Sequence, residues 1–192
     1  MKTALKWTGI TLLAAAACSA VFGRKCLFRK RGCDAEKSSV RDADTLDLIA
    51  QGIKLRAEDF NGLYEGLYQA AQHCTGLSTD AYEEWCDRVQ QTDDPDFRRA
   101  FFSRFSKTDT ENESLCREKF ALLLSCIDAA GIARERESMT VYTADAAMQR
   151  GYFSADGEKL RIGAGYTVIK SAWLCGDKVI ECGMAVPGTI SL

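Results

Sequence analysis

The spacing of apolar residues changes at Gly131, and this change constrains the fold more than any other feature of the sequence. Before Gly131, apolar residues recur every three or four positions, which is typical of helices. After it, short alternating runs are separated by glycines, which is typical of strands. The sequence therefore predicts an α+β protein. A long heptad-bearing helix and a small helical bundle, residues 32–132, precede a compact C-terminal β module, residues 133–192.

The longest apolar stripe begins at Leu46 and ends at Cys74, with alternating steps of three and four residues and a polar break at Arg56. This is the a/d spacing of a coiled coil, and it predicts one helix that starts near Val40. A helix folded back on its own chain is the alternative. We expect the stripe to form a homodimer seam, for which the candidate residues are Leu46, Ile49, Ile53, Phe60, Leu63 and Leu67.

Cap signals divide the rest of the helical part into short helices. Asp94-Pro95 predicts a helix start, with aspartate as cap and proline in the first turn. Residues 110–113, Thr-Glu-Asn-Glu, match a capping box before another helix, and Gly131 is the expected stop. The core stripes of the bundle are expected to be Tyr82, Trp85 and Val89; Phe97, Phe101 and Phe105; and Cys116, Phe120, Leu123, Ile127 and Ala130.

Two glycine-containing pairs mark tight turns in the β module, namely Asp156-Gly157 and Gly176-Asp177. A turn at Gly176-Asp177 places Cys175 opposite Lys178, Trp173 opposite Ile180, and Ile169 opposite Met184. Alternation then predicts a core face of Ile169, Ser171, Trp173, Ile180, Cys182 and Met184. The opposite face, Lys170, Ala172, Leu174, Val179 and Glu181, is a candidate contact surface.

The N-terminus has the composition of a targeting or anchoring segment. Residues 7–22 carry no charge, and five basic residues follow at positions 24–31. Because positive charge marks the cytoplasmic side, we expect a membrane anchor in residues 1–31 with the body in the cytoplasm. An exported lipoprotein acylated at Cys18 is the alternative, since residues 15–18, Ala-Ala-Ala-Cys, weakly resemble a lipobox.

Charge and cysteine content restrict the possible functions. Seven of the 25 basic residues and none of the 27 acidic ones lie in residues 1–31, so the remainder carries a net charge near -9. Such a body repels nucleic acid, and we expect no nucleic-acid partner. The nine cysteines include no C-x-x-C pair, and His73 is the single histidine, so we expect core thiols, no metal and no cofactor. No nucleophile and base pattern is evident, and we expect a protein that is not an enzyme.

Two stretches resemble the GrpE-type nucleotide exchange factors of DnaK chaperones. Residues 119–132 are similar to the last bundle helix of that family, which typically ends Leu-x-x-x-Gly-Val. Residues 172–180, Ala-Trp-Leu-Cys-Gly-Asp-Lys-Val-Ile, are similar to its closing Gly-Tyr-x-Leu-x-Gly-Arg-Val-Ile hairpin. Glu181 stands where the family commonly has arginine, and Lys178 stands where the hairpin arginine meets the chaperone.

The resemblance implies a co-chaperone that promotes ADP release by binding the nucleotide domain of a DnaK-type chaperone. The residues expected to contact the chaperone are Lys178, Glu181, Leu174 and Lys170. A membrane-tethered interaction or scaffold protein that lacks exchange activity is the alternative.

Overall fold

The computed structural model describes residues 34–73 and 79–188, which contain six α-helices, two 3₁₀ turns and seven strands. The predicted α+β class, with a C-terminal β module, is confirmed. The helices are α1 Asp34–Leu55, α2 Tyr64–His73, α3 Asp80–Gln90, α4 Pro95–Phe102, α5 Glu113–Ala129 and α6 Ala146–Gly151, and the 3₁₀ turns are Ala57–Phe60 and Lys107–Glu111. The strands are β1 Ile132–Arg134, β2 Val141–Thr143, β3 Tyr152–Ser154, β4 Gly165–Lys170, β5 Trp173–Cys175, β6 Lys178–Glu181 and β7 Gly183–Pro187.

Helices α1 to α5 pack around an aromatic core. The rings of Phe60 and Trp85 stack with centroids 4.2 Å apart, and Tyr82 stacks on Phe120 at 5.0 Å. The predicted stripes of α3, α4 and α5 all face this core, which confirms the helical spacing in that part of the sequence.

The prediction of one continuous helix over residues 40–74 is wrong. Helix α1 ends at Leu55, a 3₁₀ turn follows, and α2 begins only at Tyr64. Gly62 has a φ of 92°, which a continuing helix cannot contain. The bend lets both helices pack into the same core. Leu46 packs against this core. The other five predicted seam residues are buried in it, namely Ile49, Ile53, Phe60, Leu63 and Leu67. The chain thus folds the stripe onto itself, as the alternative arrangement expects.

The predicted helix boundaries have mixed outcomes. Asp94 caps α4 by accepting hydrogen bonds from the backbone N–H groups of Asp96 and Phe97, both at 3.0 Å, as expected. Gly131 ends α5 with a φ of 75°, also as expected. The capping box at Thr110 is wrong, because Thr110 lies inside a 3₁₀ turn. Ser106 forms the capping box of that turn, and Asn112 caps α5.

The strands form two sheets rather than one. Antiparallel β1, β5 and β6 make a three-stranded sheet in the order β1-β5-β6. The four-stranded sheet has the order β2-β4-β7-β3, in which β3 pairs with β7 in parallel. Both predicted turns are present, with φ of 83° at Gly157 and 59° at Gly176.

The predicted register is right next to the turn and wrong beyond it. Cys175 pairs with Lys178, as expected, but Trp173 pairs with Glu181 rather than Ile180. Met184 pairs with Lys170 rather than Ile169. A register irregularity between Trp173 and Leu174, and another between Val168 and Lys170, shift the alternation. Ser171, Trp173 and Ile180 of the predicted core face are buried, whereas Ile169, Cys182 and Met184 are exposed.

The two hydrophobic cores do not divide the chain at residue 133. Ile132, Trp173 and Ile180 of the three-stranded sheet belong to the same core as the helices. The second core lies between α6 and the four-stranded sheet and includes Met148 and Val168. The β5–β6 hairpin is therefore part of the helical unit.

The predicted anchor, residues 7–22, and Cys18 lie outside the described residues, as do Cys74 and the side chain of His73. Among the helices within residues 34–73 and 79–188, none has the length and apolar content needed to cross a bilayer.

Candidate functional site

The four-stranded sheet has one covered face and one uncovered face. Tyr152, Tyr166, Val168 and Ala185 point into the second core and are buried. Because side chains alternate along a strand, their neighbours point to the opposite face. In the part of the chain that the structure describes, no helix covers that opposite face.

The uncovered face carries a row of side chains set by the strand register. Val141 of β2 pairs with Thr167 of β4, which in turn pairs with Val186 of β7. Phe153 of β3 pairs with Met184 of β7. We call this surface the open face, and it consists of Val141, Thr143, Phe153, Thr167, Ile169, Met184 and Val186.

A bulge in β4 adds Ile169 to the open face. The register passes from Val168 opposite Ala185 to Lys170 opposite Met184, so Ile169 is the extra residue. Ile169 is 40% exposed, beside Met184 at 38%, Phe153 at 39% and Val141 at 41%. None of these seven side chains carries a charge, and exposed Lys159, which forms an isolated bridge with Phe153, lies at the edge of the face. A contiguous apolar surface of this kind is typical of an interaction site.

Two of the predicted partner-binding residues lie on the β5–β6 hairpin and reach the surface. Lys178 is exposed and forms an ion pair with Glu58 in the turn between α1 and α2. Leu174 is half-buried. The hairpin tip is thus accessible, although its lysine already has a partner within the chain.

The other two predicted residues are used inside the molecule. Glu181 is 1% exposed, and its carboxylate accepts hydrogen bonds from the backbone N–H groups of Gly62 at 3.0 Å and Tyr64 at 2.9 Å. Lys170 is half-buried, and its Nζ lies 3.0 Å from Glu181 Oε1. In this conformation the Glu181 carboxylate is not open to a partner.

A second buried carboxylate lies beside the first. Glu65 accepts a hydrogen bond from Trp173 Nε1 at 2.9 Å and forms an ion pair with Arg134 at 3.2 Å. The Arg134 guanidinium also lies 3.8 Å from the centre of the Tyr68 ring and donates to Ser171 Oγ at 2.7 Å. This network joins α2 to both ends of the β4–β5 connection.

Tyr64 closes the base of this polar region. Its hydroxyl donates to the Ala57 carbonyl at 2.7 Å, and its ring stacks on Trp173 with centroids 5.7 Å apart. Burial, and then the negative charge of Glu181, raise the pKa of the Tyr64 hydroxyl far above its ordinary value. The hydroxyl therefore stays protonated and acts as a structural donor.

A groove of about 320 Å³ lies between α6 and the β5–β6 hairpin. Glu135 lines the groove, and its Oε2 lies 2.8 Å from Arg136 Nε, so this carboxylate is already paired within the chain. Among the described residues, no group of three or more His, Cys, Asp and Glu side chains is placed to hold a metal ion.

Sequence reasoning missed Val141 and Phe153, and it assigned Ile169 and Met184 to the core. The alternation in residues 165–170 is visible in the sequence, but which of its two faces is buried depends on where α6 packs. The bulge at Ile169 leaves no signature in the sequence. The sequence does contain one signal, since the residues at alternate positions of β2, β4 and β7 that form this face are uncharged.

Comparison of this chain with protein-family models, with curated proteins and with solved structures finds no match.

Proposed function

We propose that this protein is a non-enzymatic, co-chaperone-like binding protein that docks the nucleotide domain of a DnaK-type chaperone through the open face. The observation that carries the proposal is an uncovered and predominantly apolar face on the β module. In the sequence, strands β4 and β7 of this face flank the hairpin that resembles the closing hairpin of the GrpE type. Lys178, at the tip of that hairpin, is exposed and pairs with Glu58, and it is the residue that the resemblance assigns to the chaperone contact.

Binding of this kind needs no catalytic group. A ligand that binds an opened nucleotide cleft more tightly than a closed one shifts the population toward the opened state. ADP then leaves faster because the opened cleft holds it less tightly. The helical unit supplies a rigid base, since the three-stranded sheet shares its core.

The test measures release of fluorescent ADP from the DnaK-type chaperone of the same cell. The full chain is used, kept in solution with mild detergent. We expect the unmodified protein to accelerate release. We expect Ile169→Glu combined with Met184→Glu to weaken the effect at least about tenfold, because two charges would be buried in an apolar contact. Leu48→Glu is the matched control, since Leu48 is an exposed leucine, 51% accessible, on α1.

The outcomes separate the proposals. No acceleration at saturating protein overturns exchange activity, and chaperone binding without acceleration supports a tethered interaction protein instead. Equal loss of activity in the Leu48→Glu control would show that the open face is not the specific contact. We further propose that the body is cytoplasmic and tethered through residues 7–22.

A further inference from the structure

We infer that Glu181, together with Lys170, is a positioning residue that sets the geometry of the open face relative to the helical unit. Its carboxylate connects the first turn of α2 to the strand that carries Ile169. The inference rests on the proposed function for its effect on partner binding, and on the free protein alone for its effect on geometry.

Helix α2 has no cap of its own. The residue before its first turn is Leu63, whose side chain offers no hydrogen-bond acceptor. The first N–H groups of a helix lack partners within the helix and attract negative charge. Glu181 supplies both an acceptor and a charge, through Oε2 to Gly62 and Tyr64, and through Oε1 to the Glu65 N–H at 3.4 Å.

The same carboxylate reaches the bulge that shapes the open face. Lys170 directly follows the extra residue Ile169, and its Nζ lies 3.0 Å from Glu181 Oε1. The ion pair therefore ties the strand to the start of α2 immediately after the bulge. A β-bulge re-aims the side chains around it, so holding Lys170 also fixes the direction of Ile169.

Arg134 and Glu65 fix the other side of the corner between β4 and β5. Arg134 donates to Ser171 Oγ, and Ser171 Oγ donates to the Arg136 carbonyl at 2.7 Å. Arg134 is itself held by Glu65 of α2. The corner between β4 and β5 is thus fixed to α2 on one side by Glu181 and on the other by Glu65.

A purely stabilising ion pair and a positioning carboxylate predict different results for charge reversal. Glu181→Lys combined with Lys170→Glu restores an ion pair but places an ammonium group at the start of α2. An ion pair alone would be rescued by the reversal. A carboxylate that also caps α2 is not rescued, because the helix terminus repels a cation and the N–H groups lose their acceptor.

The experiment records methyl NMR spectra and amide hydrogen exchange of the free full chain in mild detergent. The variants are Glu181→Gln, Lys170→Met and the double reversal. Lys178→Met is the matched control, since it removes the exposed pair with Glu58 and leaves the corner intact. We expect the first three variants to shift the Ile169 and Met184 methyl resonances. We also expect Glu181→Gln to speed exchange of the Tyr64 amide by at least about tenfold. Lys178→Met should leave both measurements unchanged.

Unchanged Ile169 and Met184 methyl resonances in Lys170→Met, which keeps a half-buried aliphatic chain, would overturn the inference even if Glu181→Gln does not fold. Full rescue by the reversal would also overturn it. In the ADP-release assay, we expect Lys170→Met to weaken the effect of the protein several-fold. Because the methyl measurement needs no chaperone, it decides the positioning role even if the chaperone is not the partner.

Discussion

Glu65 and Glu181 are the two carboxylates on which the connection between helices and strands depends. They are 3% and 1% exposed, and an ionised carboxylate at such depth is costly unless it is paired and hydrogen-bonded. Arg134 compensates Glu65, and Lys170 compensates Glu181. Each residue therefore acts through its partners, and removing one partner leaves an uncompensated buried charge.

The cysteine thiols differ in their pKa and in their exposure. Burial raises the pKa of Cys86 to about 12 and that of Cys126 to about 11, whereas Cys182 is exposed. At pH 8, a thiol of pKa 12 is ionised in about one molecule in ten thousand, and the thiolate is the reactive form. We expect iodoacetamide to modify Cys182 before Cys86 and Cys126, and to leave those two intact until the protein unfolds, as measured by peptide mass mapping. Modification of Cys86 as fast as Cys182 would contradict this.

The exposed Cys182 thiol also reports on localisation. In intact cells, a membrane-impermeant thiol reagent should leave Cys182 unlabelled if the body is cytoplasmic, and lysis should allow labelling. Labelling before lysis would favour the exported lipoprotein.

At the scale of elements, the bend between α1 and α2 determines how the helical unit closes. Arg56 lies in the bend, and it both bonds Asp94 at 3.0 Å and covers the Phe97 ring. Gly52 allows the close approach of α4 to α1, since a Cβ there would lie 2.1 Å from a Phe97 ring carbon. The heptad spacing continues through residues 56–63, so the sequence pattern does not reveal the bend. A 3₁₀ turn also buries residues about three positions apart, and its pattern is therefore similar to that of a continuing helix.

The changes in unfolding free energy caused by two glycine substitutions distinguish the bend between α1 and α2 from one straight helix. At Gly62, with its positive φ, Gly62→Ala should destabilise the protein by about 1 kcal/mol or more. Gly66 lies inside α2, and a Cβ there would meet Ala81 Cβ at 3.4 Å, an ordinary contact. Gly66→Ala should therefore stabilise by about 0.5–1 kcal/mol. Urea unfolding measures both, and stabilisation by both substitutions would contradict the bend.

At the scale of the whole molecule, the division into two cores differs from the division into helices and strands. The three-stranded sheet of β1, β5 and β6 shares the helical core, and the other four strands form a separate unit with α6. The predicted seam is also internal, so a partner helix is not needed to cover it. Dimerisation itself stays a prediction.

The fully buried Leu67 offers a test of this arrangement. Leu67→Ala should lower the free energy of unfolding by about 2–5 kcal/mol through the cavity it leaves. Because the seam is covered within one chain, we expect the dependence of the unfolding midpoint on protein concentration to be the same in both proteins over about a hundredfold range. Leu48→Ala, on the exposed side of α1, is the control and should change stability little. A midpoint that rises with concentration, and whose rise Leu67→Ala abolishes, would restore the intermolecular seam.

Local signals in the sequence predict the structure correctly where that structure depends only on neighbouring residues. Asp94 as a cap, Gly131 as a stop, and the turns at Gly157 and Gly176 depend on a few neighbouring residues. The stripes of α3, α4 and α5 likewise follow from helical geometry. The open face and the role of Glu181 could not be predicted, because each depends on contacts between distant segments and on a bulge. Alternation placed Glu181 outside, and only the closure of β6 against α2 puts it inside.

The bonds from Gly62 and Tyr64 to Glu181 also have a consequence for the order of events as the chain is made. They join residues 119 and 117 positions apart. Because synthesis proceeds from the N-terminus, α2 emerges long before the strand that caps it, and contacts this distant in sequence form slowly. Trp173, which covers Tyr64, arrives equally late. A nascent chain that stops short of β6 therefore leaves the aromatic core open, and the helical unit is completed only as the final strands leave the ribosome.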